Sequence, residues 1–150
     1  MAAVIRATLD PKSLDGAIKK LQQFKKKLIN NNQRFLERIG ERGVEICKQE
    51  CPEDFGDLKN SIKYEIKDEK VIISASQEYV GFVEFGFGVK GDGHPTIDVA
   101  QYSDRESWVY LDKKRDEYFV SYGQPGNPFM WRTAQALKDE IPKIAKEVFK

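Results

Sequence analysis

The sequence predicts an α+β fold: a long N-terminal helix and a C-terminal helix packed on a mainly antiparallel β-sheet, with a long loop and an extended β-hairpin. Two observations carry that reading. Both ends of the chain place apolar residues at steps of three and four, the spacing of a helix face. Between them lie short runs of alternating or β-prone residues, separated by charged or Gly-rich turns. One domain over residues 1–150 accommodates all of this, with residues 87–125 as a loop and hairpin arm.

Ala3 to Leu9 is β-prone and reads as a short first strand. Asp10-Pro11 then gives the N-cap and first position of a helix. Its apolar face begins with Leu14, Ala17, Ile18, Leu21, Phe24 and Leu28, and the same phase resumes in Phe35, Leu36, Ile39, Gly43, Ile46 and Cys47. One helix from about 11 to 50 is expected, with two collinear helices meeting at Asn30-Asn31-Asn32 as the alternative. The stripe serves as core or as a subunit interface. Lys19, Lys20, Lys25, Lys26 and Lys27 crowd the first half, as a solvated face or as a patch for DNA or an acidic partner.

Pro52 and Gly56 end this helix and open a turn. Leu58, Ile62, Tyr64 and Ile66 alternate with polar neighbours and predict a strand, which returns as Val71–Ala75 after the polar turn Lys67-Asp68-Glu69-Lys70. Tyr79–Gly86 fits either a buried strand or a short helix. The favoured helix is capped by Ser76, has Tyr79, Phe82, Val83 and Phe85 inward, and stops at Gly86. Gly56 and Gly86 are both expected to need a backbone conformation that disfavours a Cβ.

Residues 87–106 read as a long irregular loop. Trp108–Leu111 and Tyr118–Tyr122 flank Asp112–Asp116 and form a second hairpin, whose Trp108, Tyr110, Tyr118, Phe119 and Tyr122 are the candidate assembly residues. Asn127-Pro128 repeats the helix-start signal. Met130, Ala134, Leu137, Ile141, Ile144 and Val148 mark the inner face of the last helix, which is expected to kink or restart near Ile141 because of Pro142.

Composition narrows function. Charged residues make up 33% of the chain and apolar residues 40%, an ordinary globular balance, and the formal net charge is +1. Whole-molecule attraction to nucleic acid or membrane is therefore not expected. The first residues carry no long apolar run, so no signal peptide is expected, and no stretch is long enough to span a bilayer. Cys47 and Cys51 read as small buried thiols. The only histidine, His94, has no nucleophile motif beside it, and Glu53, Asp54 and Asp57 lack the spacing of a cation loop. The Gly-rich run from Gly86 to Gly93 lacks the phosphate-loop pattern. No catalytic, cofactor or metal residues are assigned, and an enzyme is not expected. Glu84, set among aromatic and aliphatic residues, needs a partner if buried, either Arg132 or backbone N–H groups.

Three stretches carry a resemblance. Pro52, Asp54, Gly56, Leu58, Ser61 and Ile62 stand at the fixed positions of an Ala-Pro-x-Asp-Thr-Gly-x-Leu-x-x-Ser-Ile element. Tyr79, Val83, Glu84, Phe85 and Gly86 match a Tyr-Ala-x-Tyr-Val-Glu-Phe-Gly-Thr element, and Pro128, Phe129, Met130 and Ala134 match Pro-Phe-Met-x-x-Ala. In this order they resemble the neck and tail-completion proteins of long-tailed phages and prophages, which join head to tail. Phe55 and Phe87 replace threonines of that pattern, so roles of those hydroxyls do not carry over. The resemblance implies a structural virion protein, made in the host cytoplasm and assembled as a ring, with a hexamer the family-implied size. Implied partners are other copies, neck or head-completion proteins, and tail-terminator or tail-tube proteins, with DNA passing through the lumen. The alternative is a nucleic-acid-binding module that uses the lysine-rich helix.

Overall fold

A computed structural model describes residues 8, 10–53, 56–87, 107–112 and 115–150, with Trp108, Tyr110 and Asp112 described by their backbone alone. The first strand, the loop after Phe87 with His94, and Asp54 and Phe55 lie outside the described residues. The rest is α+β, as expected.

Helix α1 runs unbroken from Pro11 to Glu50 over 40 residues, about 60 Å at 1.5 Å per residue. The Asn30–Asn32 run does not interrupt it. Asp10 is the N-cap, its carboxylate accepting from the Ser13 N–H at 3.0 Å, and Pro11 occupies the first turn. At the other end the Cys51 N–H donates to the Cys47 carbonyl, and Pro52 forbids a further turn.

Helix α2, Gly56–Ser61, corrects the sequence reading, which began a strand at Leu58. Leu58 and Ile62 are four apart and both are buried, so they serve one helical turn as well as an alternating strand. Strand β1 starts only at Lys63 and ends at Lys67. It pairs antiparallel with β2, Lys70–Ser74, with Tyr64 opposite Ile73 and Ile66 opposite Val71. The two turn residues, Asp68 and Glu69, both have positive φ (50° and 59°), the sign a tight two-residue hairpin requires.

Helix α3 spans Val80–Phe85. Its N-cap is Tyr79, not Ser76, and it makes no side-chain capping bond. Val83 and Glu84 point into the protein, Tyr79 and Phe85 are half-buried, and Phe82 is exposed, against expectation. Gly86 stops the helix and opens β3, Gly86–Phe87. Strands β4, Trp108–Asp112, and β5, Glu117–Ser121, form the expected second hairpin. Strand β6, Gln124–Pro125, pairs with β3. Among the described residues the antiparallel sheet is thus divided into three two-stranded ladders.

Helix α4 runs from Phe129 to Val148 without a restart at Pro142. Pro142 and Lys138, whose carbonyl loses its partner there, are both exposed, so water can satisfy the orphan. The buried positions are Phe129, Thr133, Leu137 and Ile144, while Ala134 and Ile141 face outward, so the inner face is rotated from the expected one.

Helices α1 and α4 lie antiparallel. Glu50 meets Arg132, Arg42 meets Glu140 and Arg38 meets Glu147, one sequence number falling as the other rises. The core sits between them and the first hairpin. One cluster joins Cys47, Cys51, Leu58, Ile62, Val83 and Phe129; the other joins Ile39, Ile46, Leu137 and Ile144. Fully burying a side chain such as Leu58 or Phe129 contributes about 1.5–3 kcal/mol. Gly43 lets Ile73 and Leu137 lie directly on α1, where a Cβ would overlap both. Alongside α4, the buried part of α1 extends back to about Phe35, whose ring meets Phe149 edge-on at 5.6 Å. Before that point Leu14, Ile18, Leu21, Phe24 and Leu28 remain 42% to 54% exposed, so only the second half of the stripe is core.

Candidate functional site: the joint of the three motifs

The three motif stretches converge where α3 meets the start of α4. Pro128 is the N-cap of α4 rather than its first residue, and it has no side chain able to accept the first amides. Glu84 supplies the missing acceptors. Its Oε2 accepts from the Met130 N–H at 2.9 Å and its Oε1 from the Trp131 N–H at 3.0 Å. The residue is only 5% exposed. A negative charge at the positive end of a helix is stabilised by its dipole as well as by the two bonds. Of the two partners expected for a buried Glu84, backbone N–H groups are therefore found. Arg132 reaches instead to Glu50, Nε to Oε2 at 2.5 Å, to the Glu50 carbonyl at 3.1 Å and to the Asn127 side-chain oxygen at 2.6 Å.

Backbone pairing tightens the same joint. Asn127 N–H donates to the Val83 carbonyl at 2.7 Å, and Gly86 pairs with Pro125. Gly86 has φ 75° and ψ −177°, a region open essentially to glycine alone. A Cβ there would stand 2.5 Å from the Gly126 nitrogen. Gly56 differs. It opens α2 with free space around it, so the expectation of a Cβ-intolerant backbone holds at Gly86 and fails at Gly56.

The other motif residues serve packing. Leu58 and Phe129 are fully buried, and Met130 brings its sulfur 3.3 Å from the Cys47 thiol. The Ser61 hydroxyl donates to the Leu58 carbonyl and accepts from the Ser76 N–H, tying α2 to the segment before α3. Pro52 lines an open cleft of about 430 Å³ with Val83, Pro128 and Arg132. Cys47 and Cys51 are free buried thiols, as expected, and burial pushes both above their ordinary pKa. Among the described residues no group of His, Cys, Asp and Glu is placed to hold a metal ion, and no helix is long and apolar enough to cross a membrane.

The arm forms a ladder of its own, separate from the β3–β6 pair. Tyr110 is paired with Phe119 and Trp108 with Ser121 across the second hairpin. Tyr118 and Tyr122 are well exposed, and Phe119 is half-buried with the Arg115 guanidinium 5.8 Å from its ring centre. Sequence reasoning missed the β3–β6 ladder and the Glu50–Arg132–Asn127 contacts. Two-residue strands leave no periodic signal, although the Gly86 and Gly126 positions mark the close approach.

Comparison with known proteins gives one family. Residues 15–86 match the HK97-gp10-like family model, described as "Bacteriophage HK97-gp10, putative tail-component". The match covers most of α1 and ends at Gly86, with the first two motifs inside it and the Pro128 stretch beyond. It bears out the resemblance to tailed-phage proteins drawn from those motifs. No curated protein and no solved structure matches the chain.

Proposed function

We propose that the chain is a non-enzymatic joining piece of the phage neck, which completes the tail by closing into a ring between head and tail. The observation that carries this reading is the family match over residues 15–86. The joint described above supports it. Its only buried carboxylate among the described residues caps a helix, so its chemistry is that of a brace. A hexameric ring is the size proposed, with DNA passing through its lumen. The chain docks to neck or head-completion proteins on one side and to the tail terminator or tail tube on the other. Isolated subunits stay largely monomeric, because ordering the arm is offset only by contacts a neighbour supplies.

The test is genetic and microscopic. A phage with a stop codon early in this gene accumulates filled heads and separate tails, and the product is found in purified wild-type particles by mass spectrometry. Normally joined particles from the mutant, or particles free of the product, overturn the reading.

A further inference from the structure

Among the described residues, two apolar faces are left uncovered. The first is the front of α1, where Leu14, Ile18, Leu21, Phe24 and Leu28 line one side of the helix, each between 42% and 54% exposed. The second is one face of the β4–β5 hairpin. Val109 pairs with Val120 and Leu111 with Tyr118, so these four side chains share a face; Val109 is 63% and Tyr118 75% exposed. A two-stranded hairpin is marginal in water unless something covers it. The lengths agree: the helix stripe spans about 21 Å and the hairpin about 17 Å.

We propose that the hairpin of one copy lies across the front of α1 of the next copy. This rests on the reading of the chain as a self-assembling neck protein and names its contact. Charge selects this pairing over the other symmetric choice. At 100° per residue Lys25 lies beside the stripe and Lys20 and Lys27 lie along its edge, with no acidic residue on that side of this half of α1, so two such helices face to face bring like charges together. Residues 112–117 carry three acidic and three basic side chains in sequence, so this stretch brings no net like charge to the helix. Lys20, Lys25 and Lys27 border an exposed run of leucine, isoleucine and phenylalanine, which a surface that only tracked phosphates would not need. Each copy carries one donor face and one acceptor face. The contact is therefore heterologous, and successive copies close a ring if the rotation permits. Each contact buries on the order of 1,000 Å², the low end for a specific interface, so a lone pair is weak and closure, which holds every subunit on both sides, strengthens it.

The test uses two variants of the full chain, Leu21→Ser with Phe24→Ser on the helix and Val109→Ser with Val120→Ser on the hairpin. Wild-type protein associates in sedimentation as concentration rises towards about 1 mM, and each variant alone associates at least ~10-fold more weakly. Mixed together, the variants form one-to-one pairs that grow no further, because one intact donor meets one intact acceptor. A photoreactive residue at position 118 cross-links to residues 14–28 of a different copy, identified by mixing isotopically heavy and light chains. The inference is overturned if the wild type is monomeric at 1 mM, if the mixture gives no pairs, if cross-links join hairpin to hairpin, or if the helix variant loses DNA binding in place of self-association. Particles that contain the chain while the mixture fails to pair overturn this contact and leave the neck reading standing; pairing by a chain absent from particles does the reverse.

Discussion

Replacing Glu84 with glutamine removes one charge and changes almost no volume, which makes it the sharpest probe of the joint. In the folded protein the two carboxylate oxygens accept from the Met130 and Trp131 amides at 2.9 and 3.0 Å. Glutamine offers one oxygen, and its NH₂ group faces the second amide, donor against donor. An amide left without an acceptor in a buried place costs about 1–3 kcal/mol. Loss of the charge from the helix N-terminus adds roughly 0.5–1 kcal/mol. The expected loss is therefore about 1.5–4 kcal/mol, read as a lower urea midpoint with an unchanged slope. In a chain of this size that corresponds to a melting point lower by roughly 5–15 °C. Hydrogen exchange gives a local readout, since the Met130 and Trp131 amides should exchange faster by the same free energy. A Glu84→Gln protein within about 0.5 kcal/mol of wild type, with those amides still protected, would refute the account of Glu84 as the cap of α4.

The two glycines once expected to behave alike should now separate. Gly86→Ala meets backbone at 2.5 Å in a glycine-only conformation and should cost at least ~2 kcal/mol, while Gly56→Ala should be neutral or stabilising by up to ~0.5 kcal/mol in thermal melts. Burial raises the Cys47 and Cys51 pKa above the ordinary 9.0, so both thiols bind protons more tightly folded than unfolded. Stability should be flat in this respect below about pH 8 and decline as pH rises past about 9, and iodoacetamide at pH 7 should label the two only after denaturant is added. Replacing Asp68-Glu69 with Asn-Gly should raise the urea midpoint by about 0.5–1 kcal/mol equivalent, because both turn residues sit at positive φ. Deleting residues 107–122 should leave cooperative unfolding of the α1–α4 core intact but abolish incorporation into particles.

What could be read in the sequence was whatever is periodic over many residues. The steps of three and four from Leu14 to Cys47 survive the three asparagines because phase, not propensity, carries a long helix, and α1 is continuous. Periodicity names the face of a helix but not the element that covers it. That is why Leu14 to Leu28 looked no different from Ile39 to Cys47, although only the latter has α4 and the first hairpin against it. Leu58 and Ile62 fit two periods at once over so few residues, and the helix prevailed because it buries both beside Cys51 and Phe129. Glu84 was visible as a carboxylate among apolar neighbours. Its destination was not, because α3 reaches the first turn of α4 through a long-range contact that leaves no local trace.

The β3–β6 ladder has a further consequence for how such a chain can change. It pairs Phe87 with Gln124, so the two ends of the chain between them are held side by side. Closing a loop between fixed ends grows costlier only with the logarithm of its length, about 0.6 kcal/mol per doubling. The chain between those ends can therefore be lengthened, trimmed or exchanged for another at small entropic cost, much as a tool is changed in a chuck. Lineages facing different neighbours would be free to remodel that insert while the clasp, Gly86 and the Glu84 brace stay fixed.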